Sequence, residues 1–258
     1  MDRMLFTALS SIDANAINRQ QLVHELSNLS TIGFKKSYQS VLVSARPDSP
    51  GFNSRIHSDI NHSRFINDKV ILSGGGLLIT GRNMDVAMNE NTLLGVVTND
   101  GSVAYTRRGD LRINSNGLLE NGSGHIIMGT SGGITLPPGY NISILSDGTI
   151  MASDPSQTGT TTAQEVGRLL LRDASGVDVV RRKDGLFSIL NEKSAIGVVS
   201  DNKNASITPG ALEGSNVNAI ESMVRLMDDS RSFEQRIKLI KECKEIDESG
   251  ASMMRISG

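Results

Sequence analysis

Apolar residues recur at helical spacing at both ends of this chain and at strand spacing between them. Over residues 2–29, Leu5, Leu9, Ile12, Ala16, Arg19, Val23 and Leu26 alternate in steps of four and three. That is a heptad seam with Arg19 as its polar break. Asp2 stands where a cap is favoured and Gly33 follows the end. The pattern predicts a helix roughly 40 Å long. From Val217 the helical period returns. Met223, Leu226, Ser230, Phe233, Ile237 and Ile240 form one row, and Ile220, Val224 and Met227 form a second that widens the stripe. Asn218 and Glu221 have capping-box spacing. Glu234–Lys238, Lys241–Glu245 and Lys244–Glu248 place opposite charges four apart. This segment is predicted to be an amphipathic helix of about 30 residues.

Between the helices the period shortens. From Gly74 to about Ser200 the runs "LLGVV", "AYT", "LRI", "HIIM", "RLLL" and "VDVV" have strand length. Several alternate apolar with polar, the mark of a sheet with one wet face. Asp100-Gly101, Asn116-Gly117, Asn121-Gly122, Asp147-Gly148 and Asp184-Gly185 are favoured tight-turn dipeptides. No repeat of fixed period emerges, which argues against a solenoid or propeller. Residues 35–73 carry Pro47, Pro50 and Gly51 and no sustained period. They are predicted to form an extended arm with a strand around "KVILS", since so long a structureless stretch inside a compact domain is unusual.

The predicted fold class is therefore α+β. N- and C-terminal helices form an antiparallel coiled-coil stalk, and an irregular, mainly antiparallel all-β domain occupies the middle. The expected boundaries are 1–34 for the first stalk helix, 35–75 for the arm, 76–210 for the β domain and 211–258 for the second stalk helix. The two apolar stripes are wider than a single seam, so pairing leaves apolar surface over and predicts neighbouring stalks. An isolated pair would be marginal, because helices depend on tertiary packing.

Composition narrows the function. The 258 residues include 26 Gly, 6 Phe, 3 Tyr and no Trp, so the core is expected to be thin and aliphatic. A net charge of −2 gives no nucleic-acid or anionic-membrane footprint. Cys243 has no partner for an internal disulfide. No stretch approaches the roughly 20 apolar residues that span a bilayer, so no integral membrane segment is expected. "MDRMLFTALSSIDAN" lacks a signal-peptide h-region and cleavage site, and export, if it occurs, is expected without signal cleavage.

Candidate chemistry is sparse. "SGGGLLITG" (73–81) has a glycine run but no following Lys-Ser/Thr, so a bend into the sheet is preferred over a phosphate cradle. Arg108-Gly109-Asp110 reads as a strand-connecting turn rather than an adhesion motif. His57 and His62 have no clustered third ligand, and His24 reads as helix surface. Cys243 has no catalytic partner motif. No catalytic residue, metal site or cofactor is expected. A sugar-binding β domain is the competing class, weakened by the scarcity of aromatic platforms.

Longer phrases point further. "LSNLSTIGFKK" (26–36) resembles the phrase closing the first helix in flagellar rod and hook proteins, through Asn28, Thr31, Gly33, Phe34 and Lys35. "TGRNMDVAM" (80–88) is similar to the family's Thr-Gly-Asn-x-x-Asp-Val-Ala through Thr80, Gly81, Asp85, Val86 and Ala87. "AYTRRGDLRINSNGLL" (104–119) matches in Tyr105, Thr106, Arg107, Gly109, Asn116, Gly117 and Leu119. "LEGSNVNAIESM" resembles the phrase opening the C-terminal helix. "NENTLL" (89–94) departs from the usual Gly-x-Gly-aromatic stretch. The opening and "RSFEQRIKLIK" look most like the family's proximal rod members, with the distal rod members as the alternative.

The resemblance implies a structural axial subunit of the bacterial flagellar basal body and no enzymatic activity. It implies export through the flagellar type III apparatus, assembly in the periplasm with copies of itself and other rod subunits, and torque transmission from motor to hook. The expected assembly interface comprises Leu5, Leu9, Ile12, Val23 and Leu26 of the first helix, with Asn28, Thr31, Gly33 and Phe34 after it. From the second helix it takes Ile220, Met223, Val224, Leu226, Met227, Phe233, Ile237 and Ile240.

Overall fold

The computed structural model describes residues 2–42, 65–98, 100–137, 139–155, 163–189 and 205–255. The fold is α+β with antiparallel sheets. It divides into a helical unit, 1–31 with 216–258, and a β unit, 32–215.

The helical unit holds α1 (Asp2–Ser27) and α2 (Ala219–Arg255), which contact each other. α1 ends through Asn28, whose amide donates to the His24 carbonyl at 2.8 Å while Thr31 donates to Asn28 at 3.1 Å. Carbonyls in the last helical turn have no partner within the helix, and this side chain satisfies one of them. α2 starts at Asn218, whose Oδ1 accepts from the amides of Ile220 at 3.0 Å and Glu221 at 3.3 Å. Only half of the expected capping box forms, because Glu221 turns forward to Arg225. Of the three expected charge pairs on α2, Lys244–Glu248 is an ion pair among the described residues, at 3.5 Å.

The β unit is built on one large sheet. Its strands run in the order Ser37–Leu42, Phe65–Val70, Val179–Arg181, Phe187–Ile189, Val103–Thr106, Thr92–Val97, Ile126–Gly129, Leu119–Asn121 and Leu111–Ile113. The flanks of the expected arm are thus strands, paired from Ser37–Val70 to Leu42–Phe65. The stretch between them, 43–64, lies outside the described residues. A second sheet contains Asn141–Ile144, Thr149–Ser153 and Gln164–Arg168. Two ribbons complete the unit: Ile207–Pro209 with Val86–Met88, and Ala211–Glu213 with Leu77–Ile79.

The core is aliphatic, as the composition demands. Val86, Leu94, Val96, Leu111, Leu119, Ile127, Ile150 and Ile207 are buried in one cluster. Leu93 faces the other way, into a smaller cluster with Val179 and Phe187. The strand Thr92–Val97 is therefore buried on both faces, unlike the half-wet strands expected around it. Gly95 fits because a Cβ there would meet Leu170 Cδ2 at 2.6 Å.

Four of the five tight-turn dipeptides place their glycine at positive φ: Gly101 (75°), Gly117 (77°), Gly148 (86°) and Gly185 (81°). Asn121-Gly122 does not. Asn121 Oδ1 accepts from the Ser123 and His125 amides at 3.0 and 2.9 Å, which moves the left-handed residue to Gly124 (φ 86°). The Asn side chain here mimics a backbone turn and overrides the dipeptide preference.

Candidate functional site

Among the described residues, an uncovered apolar face on α2 and a buried ionic knot in the β unit stand out.

On α2 the covered positions include Ser222, Leu226, Asp229, Phe233, Ile237, Ile240 and Cys243, all buried or half-buried. Leu226, Phe233, Ile237 and Ile240 belong to the row read from the sequence. Met223 and Ser230, from the same row, are exposed, because the covered stripe is rotated toward Ser222 and Asp229. On α1 the covered set includes Ile12, Asn15, Arg19, Leu22 and Leu26. Ala16 and Val23 of the expected row are exposed, since the covered side turns toward Asn15 and Leu22. The side chains of Leu5 and Leu9 lie outside the described residues. Arg19 is a polar tie between the helices, with Nε donating to Asp229 at 2.9 Å and the guanidinium 5.0 Å from the Phe233 ring centre.

The rotation leaves Ile220, Met223, Val224 and Met227 uncovered, at 75, 51, 51 and 56 % exposure. Their i, i+3, i+4, i+7 spacing makes them one continuous strip.

The knot joins residues far apart in the chain. Glu213 Oε1 accepts from Lys35 Nζ at 2.6 Å and from the Gly75 amide at 3.1 Å, and Oε2 accepts from Arg107 Nε at 2.8 Å. Lys35 and Arg107 are 0 and 1 % exposed and Glu213 is 4 % exposed. Arg107 also donates to the carbonyls of Leu72 at 3.1 Å, Glu90 at 2.5 Å and Met88 at 2.8 Å, and through Nη2 to Glu213 Oε1 at 3.3 Å. All five guanidinium N–H groups are thereby used. Lys35 Nζ donates a second bond to the Ser73 carbonyl at 2.8 Å. Glu90 holds φ at +43°, an uncommon conformation for this residue type, and its carbonyl is one of those bound by Arg107.

Backbone contacts fasten the same place. The Gly33 amide donates to the Glu213 carbonyl at 2.7 Å, and the Gly214 amide to the Gly76 carbonyl at 2.7 Å. Gly33 has φ +69°, and a Cβ there would collide with the Arg107 carbonyl. Phe34 lies under Arg181, whose guanidinium is 4.5 Å from the ring centre and also donates to the Lys35 carbonyl. Burial pushes both the Lys35 ammonium and the Arg107 guanidinium below their ordinary pKa ranges. For Lys35 the Arg107 charge adds to that effect, and the hydrogen bond and charge of Glu213 oppose it.

Other candidates from the sequence resolve locally. The glycine run does cradle an acid, but that acid is the chain's own Glu213, held at the Gly75 amide. Arg108 and Asp110 bind each other at 2.7 and 2.8 Å across Gly109. His57 and His62 lie outside the described residues. Among the described residues, no three of His, Cys, Asp and Glu cluster as metal ligands, and no helix is long and apolar enough to cross a membrane.

Lys35 and Arg107 each sit in a phrase that drew the family resemblance, and Glu213 sits in a third. Comparison with known proteins agrees. A model of the flagellar hook protein FlgE/F/G D1 domain matches residues 87–152, and one of the flagellar basal body rod FlgEFG protein C-terminal region matches 208–253. The flagellar basal-body rod protein FlgF of Escherichia coli (strain K12) is 33 % identical over 242 residues, 93 % of each chain. This chain belongs to the flagellar basal-body rod protein family. FlgF of Salmonella typhimurium is 33 % identical over 247 residues, 95 % of each chain. FlgG of Bacillus subtilis (strain 168) is 26 % identical over 261 residues, 95 % of this chain and 97 % of its own. Membership of this family makes the chain a structural protein of the flagellar basal body and not an enzyme.

Proposed function

We propose that this rod-family chain is a subunit of the proximal rod, assembling through its terminal helices and passing torque from motor to hook. The carrying observation is the uncovered strip Ile220, Met223, Val224 and Met227 on α2. In this reading α1 and α2 form an antiparallel coiled-coil stalk. Their covered seam closes the stalk, and the strip closes it against neighbours. Leu226, Phe233, Ile237 and Ile240, with Ile12 and Leu26, serve the seam. Ile220, Met223, Val224, Met227 and Val23 serve the lateral contacts. Methionine suits such a face, because its flexible thioether fits unlike neighbours.

The partners are copies of this chain and other rod subunits, reached in the periplasm after export by the flagellar type III apparatus without signal cleavage. The proximal assignment is supported by two relatives named FlgF at 33 % identity, with a relative named FlgG at 31 %. The distal rod is the second reading, since FlgG relatives also cover most of the chain. Isolated basal bodies imaged at side-chain resolution separate the two. The proximal reading expects this chain near the motor end of the rod, and a position next to the hook contradicts it.

A further inference from the structure

Lys35 and Arg107 are two cations buried beside each other, and Glu213 is the acid ion-paired to either among the described residues. Their other partners are neutral carbonyls, which orient a cation without cancelling its charge. Glu213 is also the last of the three to be made. It lies in the strand Ala211–Glu213, which seals Leu77–Ile79, while the preceding Ile207–Pro209 seals Val86–Met88. Without that segment, closing the core means burying two unpaired positive charges, and a buried charge stripped of its partner is strongly unfavourable.

We propose that Glu213 is the closing latch of the β unit: the fold completes only when the 207–215 segment brings this carboxylate to Lys35 and Arg107. Until then the segments carrying Lys35, the 72–76 bend and Arg107 stay open, however much apolar pattern they hold. The device makes folding wait for nearly the whole chain. Apolar neighbours would impose no such order, because a partly made aliphatic core already gains from closing. The inference concerns the folding of the chain and stands independently of the proximal-rod reading.

The test follows refolding of the full chain from urea by pulsed hydrogen exchange, in three forms. These are the natural sequence, Glu213→Ala, and the neutral triple Lys35→Met/Arg107→Met/Glu213→Leu. Core protection is read at the amides of Gly95 and Leu170, bonded to Leu170 O and Met128 O at 2.8 and 2.9 Å. Latch protection is read at Gly33 and Gly214, whose amides bond to Glu213 O and Gly76 O. In the natural chain, latch and core are expected to gain protection in one phase. Glu213→Ala is expected to lose about a hundredfold or more of core protection, the scale of breaking a buried ion pair. The triple variant is expected to regain part of it, because it removes the charges rather than one partner but leaves the carbonyls of Leu72, Ser73, Met88 and Glu90 without these donors. Core amides protected while the latch amides still exchange would overturn the proposal. So would natural protection in Glu213→Ala, or a triple variant no better protected than Glu213→Ala.

Discussion

The guanidinium of Arg19 lies 5.0 Å from the centre of the Phe233 ring, while its Nε holds Asp229 at 2.9 Å. The residue that interrupts the apolar seam of α1 thus ties α1 to α2. A planar guanidinium can stack and donate at once, which an ammonium cannot. Arg19→Lys is therefore expected to weaken the helix pair, and Arg19→Met to retain packing while losing the bond. Because Arg19 is 38 % exposed, each change should cost about 0.5–1 kcal/mol. Urea unfolding read by helical circular dichroism checks this, with an Arg19→Met/Asp229→Asn cycle isolating the pair.

Gly33 is constrained twice, by its φ of +69° and by the Arg107 carbonyl at the place of a Cβ. Gly33→Ala should destabilise the β unit by about 2–4 kcal/mol, because both the backbone conformation and the neighbour resist it. A lowered urea midpoint with an unchanged slope is the expected result.

The knot also gives a pH dependence. Burial, aided by Arg107, lowers the folded-state pKa of Lys35 below the ordinary 10.5. Between those two values the unfolded chain binds more protons than the folded one, so stability rises with pH across that window. The neutral amine still donates to the Ser73 carbonyl, so its hydrogen bonding survives. Urea midpoints of the natural chain compared with Lys35→Met at rising alkaline pH should show this extra slope, absent from the variant.

The ends and the middle of the chain differ in how openly their sequence states their structure. Helices, strands and most turns depend on near neighbours, so periodicity and Asp-Gly or Asn-Gly pairs reveal them. The rotation of the α2 stripe does not depend on near neighbours alone. Asp229 is covered although polar, because Arg19 on the other helix claims it, a choice that no single-helix pattern contains. The knot was hidden for the same reason. Lys35 and Glu213 lie 178 positions apart, and Arg107 and Glu213 lie 106 apart. The available signal was a lone acid in "GALEG" beside residues that would be buried, with Lys35 and Arg107 recurring inside family phrases. What the patterns withheld was which charge meets which.

The knot stabilises one arrangement more than it stabilises the protein. Replacing a buried ion pair by well-packed apolar residues is often neutral or favourable, while breaking one costs about 3–5 kcal/mol. Its value here is that five separate stretches, around residues 35, 73, 89, 107 and 213, must arrive together.

The central claim is that the uncovered strip on α2 is an assembly surface. The direct measurement is incorporation of a Met223→Glu/Met227→Glu chain into basal bodies of cells lacking the natural copy. Both positions are more than half exposed, so the purified variant should keep the natural circular dichroism spectrum. The account expects that folded chain to be missing from purified rods, with motility lost. Rods that contain it at the natural level, in cells that swim normally, would contradict the account.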